Sequence, residues 1–244
     1  MKYNHPTDDT RFQQALSTLN SYIELHNNKD FDVKWVEDEF EKYKQYLLKE
    51  NMNIGGAKLL STNGIKDYSE LNFKELAINR YSIRDFGSDL ISDQDVIEAI
   101  QISAKSPSVC NRQDVFVHQI KNDNQIEKAL EIQGGLKGNG ENLQEILIVT
   151  ASKEYMNGAH ERNQTYIDGG IFLMSLVYAL TYKNIASCIL NADFTVDKEI
   201  KLRDEFDISY AEDIIALVAV GSYPEKGKVA KSPRDSSDQL IINH

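Results

Sequence analysis

Residues 214–220 are seven apolar side chains in a row, IIALVAV, closed by Asp213 on one side and Gly221 on the other. A short apolar run of this kind predicts a fully buried strand, which needs other layers of structure to cover it. The stretch 169–182 is its helical counterpart. It is 14 residues long, mostly apolar, and bounded by Asp168 and Lys183. That is too short to span a bilayer and reads as a buried core helix.

The rest of the chain from residue 72 alternates between the two element types. Asn72 is a candidate cap for a short helix through Ala77, and Ser92 caps a helix over 92–105 whose apolar stripe is Val96, Ile97, Ile100 and Ala104. Strands are predicted over 115–120, 146–150 and 186–190, and helices over 123–132, 162–182 and 196–206. A Gly-rich loop, GGLKGNG, occupies 134–140, and a polar, basic tail starts at Tyr223. Upstream, residues 10–50 carry helical spacing in two blocks: Phe12, Leu16, Leu19, Tyr22, Ile23 and Leu25, then Val33, Trp35, Val36, Phe40, Tyr43, Tyr46 and Leu47. The polar 27–30 breaks them apart, and 51–64 collects Gly and Asn as a candidate linker. The chain therefore divides into a helical N-terminal extension, 1–70, and an α/β domain, 71–244, with helices flanking a sheet.

Charge narrows the partners. The 244 residues hold 27 Lys+Arg against 38 Asp+Glu, a formal charge of −11, with −3 on residues 1–70 and −8 on the remainder. That surplus repels nucleic acid at long range but leaves room for one local basic pocket. Two cysteines, Cys110 and Cys188, exclude a disulfide scaffold and fit a reducing cytoplasm, where both are expected as buried structural thiols. The N-terminal decapeptide has no apolar core of a secretory signal, so the expectation is a cytoplasmic protein with no membrane partner. The five histidines lack ligand spacing, so no metal site is expected, and His118 falls in a strand as a structural residue. Signatures of nucleotide-binding loops, zinc proteases and serine hydrolases are missing; the Gly-rich loop lacks the Lys-Ser/Thr end of a phosphate loop.

Three clusters remain. In Arg80-Tyr81-Ser82-Ile83-Arg84-Asp85-Phe86, an extended backbone would project positions 80, 82 and 84 to one side. Two arginine forks there suit a phosphate or a carbonyl edge. The residues also allow a plain surface loop paired with neighbouring acids such as Asp85. Ser106-Pro107-Ser108-Val109-Cys110-Asn111-Arg112-Gln113 offers small and amide side chains beside a planar ligand, or an ordinary helix stop. Lys231-Ser232-Pro233-Arg234 is either a basic tail or a phosphate clamp.

Taken in order and spacing, these clusters resemble the nitroreductase family of FMN-dependent flavoproteins. The shared features are R-x-S-x-R-x-F (Arg80, Ser82, Arg84, Phe86) and P-S-x-x-N-x-Q (Pro107, Ser108, Asn111, Gln113). They continue with YIDGG at 166–170, SCILN at 187–191, and a buried strand ending at Gly221 before Lys231 and Arg234. The likeness spans about residues 72–240.

The resemblance implies an α+β, three-layer α/β/α fold with a mixed, mainly antiparallel sheet. It implies FMN as cofactor, with NADH or NADPH as electron donor. Arg80, Ser82 and Arg84 would hold the phosphate, ribityl chain and pyrimidine edge, with Tyr81 beside them and Arg234 and Lys231 completing the phosphate site. Pro107, Ser108 and Asn111 would line the isoalloxazine ring from the partner subunit of a homodimer, and the backbone at Asn191 would face N5. No side chain is implied as a catalytic nucleophile. The implied activity is a ping-pong oxidoreductase acting on a small electron acceptor such as a nitroaromatic, quinone or enone. Open alternatives are a dehalogenase, a flavin-cleaving enzyme, an azoline dehydrogenase, or a non-catalytic flavin-binding scaffold. The chain departs from the family pattern where Pro-Trp is replaced by Asp114-Val115 and Gly-Leu-Gly by Asn184-Ile185-Ala186.

Overall fold

The structure is a computed structural model that describes residues 6–27, 29, 31–60, 67–136 and 140–244. The chain runs α1 (Thr10–Asn27), α2 (Lys34–Glu41), β1 (Ala57–Leu60), α3 (Phe73–Asn79), α4 (Asp93–Ser103), β2 (Val115–Ile120) and α5 (Asp123–Gln133). It continues β3 (Glu145–Ser152), α6 (Gln164–Tyr182), β4 (Ile185–Asn191), α7 (Val196–Phe206), β5 (Glu212–Ser222), β6 (Gly227–Ala230) and α8 (Ser237–Leu240). Two compact units result: Met1–Leu60 together with Lys228–His244, and Ser61–Gly227.

In the first unit, α1 docks through polar side chains. Its buried residues are Gln13, Leu16 and Ser17, not the longer apolar stripe expected from spacing, and Tyr22 and Leu25 are exposed. The Gln13 amide donates to the Tyr46 carbonyl at 2.8 Å and accepts from the Leu48 N–H at 2.9 Å. Ser17 accepts from Gly55 N–H and donates to the Met52 carbonyl. These bonds satisfy the backbone of the irregular segment after α2, so α1 holds that segment in place without a strand or helix there. The helix expected to reach Leu47 stops at Glu41 and gives way to single 3-10 turns. The candidate linker contains β1, which pairs with β6; its residues 61–64 lie outside the described residues.

The second unit is built on a four-stranded sheet in the order β2-β3-β5-β4, with every described pairing antiparallel. All eight residues of β3 are buried, and in β5 burial extends unbroken from Ala216 through Ser222, which places the IIALVAV run at the sheet centre. One core joins Val96 and Ala99 of α4, Phe172, Leu176, Val177 and Leu180 of α6, and Leu147, Val149, Val218 and Val220 of the sheet. The cap positions agree with the sequence. Asn72 and Glu75 form a reciprocal capping box on α3, and Ser92 caps α4. His118 bridges Glu212 at 2.9 Å and Thr150 at 3.3 Å across the sheet, a structural role. Among the described residues, no helix is long and apolar enough to cross a membrane, and no cluster of three or more His, Cys, Asp or Glu could hold a metal.

Asn184 has φ +58°, a left-handed conformation that glycine adopts freely and asparagine tolerates. Its side chain also accepts from the Tyr68 N–H at 2.8 Å and donates to Asp67 at 2.7 Å, so it keeps the turn and adds an anchor.

The adjacent glycines of α6 separate close packing from surface. A Cβ on Gly169 would lie 2.5 Å from Ile215 Cγ1 of β5, whereas one on Gly170 would meet nothing within 4 Å. Gly169→Ala is therefore expected to cost about 1–3 kcal/mol by overpacking. Gly170→Ala should be neutral or gain up to about 1 kcal/mol of helix propensity. Urea unfolding of both variants checks this, and equal midpoints would contradict the packing of α6 on β5.

Candidate functional site

The segment after α3 is fastened to the sheet at two points. Ile83 N–H donates to the Ser187 carbonyl of β4 at 2.9 Å, and Gly87 N–H donates to the Ser222 carbonyl of β5 at 3.0 Å. Between them Phe86 is buried over Gly221, where a Cβ would approach its ring to 2.8 Å. Ile83, 2% exposed, turns inward, while Arg80, Tyr81 and Ser82 are half-buried and Arg84 is exposed. Burial does not alternate strictly here: Tyr81 is as covered as Arg80 and Ser82, Asp85 is exposed with Arg84, and the inward residues are Ile83 and Phe86, three apart.

Cys188 of β4 shows what these side chains surround. Burial pushes its thiol up, while the Arg84 charge, the Ser82 hydroxyl and the Arg80 charge pull the other way. Arg80 also acts on the Tyr223 phenol, which is stacked on Tyr68 with ring centroids 5.0 Å apart. Among the described residues, no ion pair or side-chain hydrogen bond engages the guanidinium group of Arg80 or Arg84. Arg112, Lys183 and Arg203, by contrast, are each paired with a carboxylate. Two guanidinium groups without an ion pair, beside a hydroxyl, are donors of the kind an anion takes, even on an acidic protein.

Asn191 ends the same strand and is exposed. Its backbone carbonyl and its side-chain oxygen both lie near Gln133 Nε2, at 3.2 and 3.3 Å. Gln133 is the last residue of α5, and the left-handed Gly134 that follows opens the Gly-rich loop toward this strand end. Residues 137–139 of that loop lie outside the described residues. Sequence reasoning missed Gln133; only its place before Gly-Gly marked it.

The second cluster forms a strained loop between α4 and β2. Cys110, Asn111 and Gln113 all have φ between 49° and 55°. The left-handed region costs such residues about 1–2 kcal/mol each. Hydrogen bonds clamp the loop: Val109 N–H to Asp168 at 2.9 Å, Gln113 N–H to Ser108 Oγ at 2.9 Å, and Ser106 Oγ to Ser175 Oγ at 2.7 Å. Arg112 makes a two-pronged pair with Glu161 at 2.6 and 3.2 Å, which holds the Glu161 carboxyl down at about 2. Pro107, Cys110 and Asn111 are exposed at its surface, so Cys110 is not the buried thiol that was expected. Pro107, Ser108 and Gln113 line a cavity of about 190 Å³ with Asp168 and Phe172. None of the described hydrogen bonds or ion pairs joins this loop to the Arg80 group within one chain. Lys231 and Arg234 belong to the other compact unit, where Lys231 Nζ donates to the Asn53 carbonyl at 2.8 Å and Arg234 donates to the Ser232 carbonyl.

The family model for the nitroreductase family matches residues 77–144, which covers both the arginine segment and the strained loop. No curated protein matches the chain in sequence. Solved structures share the fold. A protein from Staphylococcus epidermidis named as an NAD(P)H:FMN oxidoreductase has 16% identity and a TM-score of 0.62, covering 74% of this chain and 97% of its own. A nitroreductase-type protein from Desulfovibrio desulfuricans, in complex with FMN, has 16% identity and a TM-score of 0.59, covering 72% and 98%. A nitroreductase family protein from Clostridium difficile has 21% identity and a TM-score of 0.56, covering 70% and 98%. Residues 77–144 are thus similar to the nitroreductase family, and the chain has the α+β fold of these solved structures, with helices before it at the N-terminus.

Proposed function

We propose that this chain is an FMN-dependent oxidoreductase that takes electrons from NADH or NADPH and passes them to a small electron-accepting molecule. The observation that carries the reading is the pair of unpaired guanidinium groups, Arg80 and Arg84, flanking Ser82 on a segment fastened to β4. A phosphate monoester carries close to two negative charges and matches that fork geometry. The family match over 77–144 and the FMN-bound neighbour support the same ligand.

In this reading Arg80, Ser82 and Arg84 hold the phosphate, ribityl chain and pyrimidine edge, with Tyr81 alongside. Pro107, Ser108 and Asn111 line the ring of the partner's flavin, and the main chain at Asn191 lies near N5. Lys231 and Arg234 are assigned to the phosphate by the resemblance alone, and the proposal does not depend on them. When bound, FMN supplies the hydride chemistry; the protein supplies binding, orientation and electrostatics. The two free thiols fit a reducing cytoplasm.

The first test is equilibrium titration of flavin-stripped protein with FMN. Wild type should bind about one FMN per chain. Arg80→Ala and Arg84→Ala should each weaken binding roughly ten- to hundred-fold, the equivalent of losing a charge-assisted hydrogen bond of about 1.5–3 kcal/mol. Unchanged affinity in both variants would show that the phosphate lies elsewhere.

The homodimer belongs to the same proposal. Ile167, Ile171, Met174 and Tyr182 recur at helical spacing along the exposed side of α6, and the exposed Phe73 packs edge-on against Tyr178 of that side. Phe172, Leu176, Val177 and Leu180 are core, while Ile171 and Met174 are exposed, which supports assigning them to contact with a second copy. Sedimentation velocity should give a dimer for wild type and half that mass for Ile171→Glu. A wild-type monomer would contradict this assignment.

A further inference from the structure

Among the described residues, Asp114 stands out as a buried carboxylate set against a second buried acid. It is 0% exposed, and neither carboxylate oxygen finds a hydrogen-bond partner. The cation that acts on it, Arg112, is engaged by Glu161. Its neighbour is a second buried acid, Asp168 of α6, 2% exposed, which already accepts from Val109 N–H and Gln164 Nε2. Burial first, and then the charge of Asp168, push the Asp114 carboxyl above the usual range. Leaving an acid unpaired in the interior is costly.

Asp168 forms the floor of the cavity of about 190 Å³, together with the buried Phe172. Ala104, Pro107 and Gln113 are exposed at its mouth. The walls mix Ser106, Ser108 and Gln113 with Pro107, Val115 and Phe172, so the space suits an organic ligand with one polar end. A metal ion would find too few ligands, since no cluster of three or more His, Cys, Asp or Glu exists among the described residues.

We propose that this cavity binds an organic ammonium group, with the cation on Asp168, Asp114 behind it, and the hydrocarbon stem along Phe172 and Val115. The aromatic face adds a further attraction for a cation. The site stands on these side chains alone. Its use as the anchor of the electron-accepting substrate rests on the flavin reading, because Pro107 and Ser108 are assigned there to the ring. The substrate class then becomes an acceptor bearing a protonated amine.

The probes are n-butylammonium chloride and its neutral counterpart n-butanol, titrated calorimetrically into full-length protein with and without FMN. Butylammonium, which keeps its charge at neutral and mildly acidic pH as a lysine side chain does, should bind wild type at least tenfold more tightly than butanol. Asp168→Asn and Asp114→Asn should remove that preference. Wild type provides a readout that does not depend on the variants folding. Equal affinities for the two probes would overturn the proposal. Failure of FMN to bind in the same samples, with ammonium binding retained, would count against the flavin reading alone.

Discussion

The geometry of the candidate site depends on two backbone hydrogen bonds, from Ile83 to Ser187 and from Gly87 to Ser222. They attach a segment with no regular secondary structure to two neighbouring strands, so a stretch that would otherwise be a mobile surface loop takes the rigidity of the sheet. Phe86 completes the attachment by filling the space left by Gly221. With Ile83 and Phe86 committed to the interior, Arg80, Ser82 and Arg84 gather around the Cys188 stretch of β4. Their charges cost little there, because both guanidinium groups retain access to solvent until an anion arrives.

The loop at 107–113 follows a different logic. Three residues in left-handed conformation make it intrinsically unfavourable, and it persists because α6, the Arg112–Glu161 pair and the Ser108 hydroxyl hold it from several directions. Strain kept in place by surrounding contacts is what a preorganised contact surface requires. The same α6 that fixes this loop through Asp168 also closes on the sheet through Gly169 and presents Ile171 and Met174 outward. One helix therefore connects core, loop and the surface assigned to a second copy.

Much of this was legible in the residues. The IIALVAV run and the caps at Asn72 and Ser92 each express a local rule, an unbroken apolar run for a buried strand or side-chain satisfaction of helix ends, and the structure realises them. What escaped depends on contacts between distant segments. Gln13 and Ser17 look like surface positions until the backbone of 46–55 is brought against them. β1 is invisible as four residues of AKLL because its partner, β6, lies far along the chain. Cys110 follows the usual preference of cysteine for the interior in sequence, yet the strained loop turns it out. Asp114 reads as an ordinary polar residue before a strand, and only three-dimensional packing reveals an unpartnered carboxyl beside Asp168.

The central claim is that the arginine-lined segment on β4 holds a flavin that exchanges electrons with a nicotinamide donor. Its most direct test is anaerobic addition of NADH or NADPH to FMN-loaded protein while the flavin absorbance is followed. The account predicts that at least one of the two donors bleaches the band and that a quinone acceptor restores it. FMN-loaded protein whose absorbance neither donor changes would contradict it.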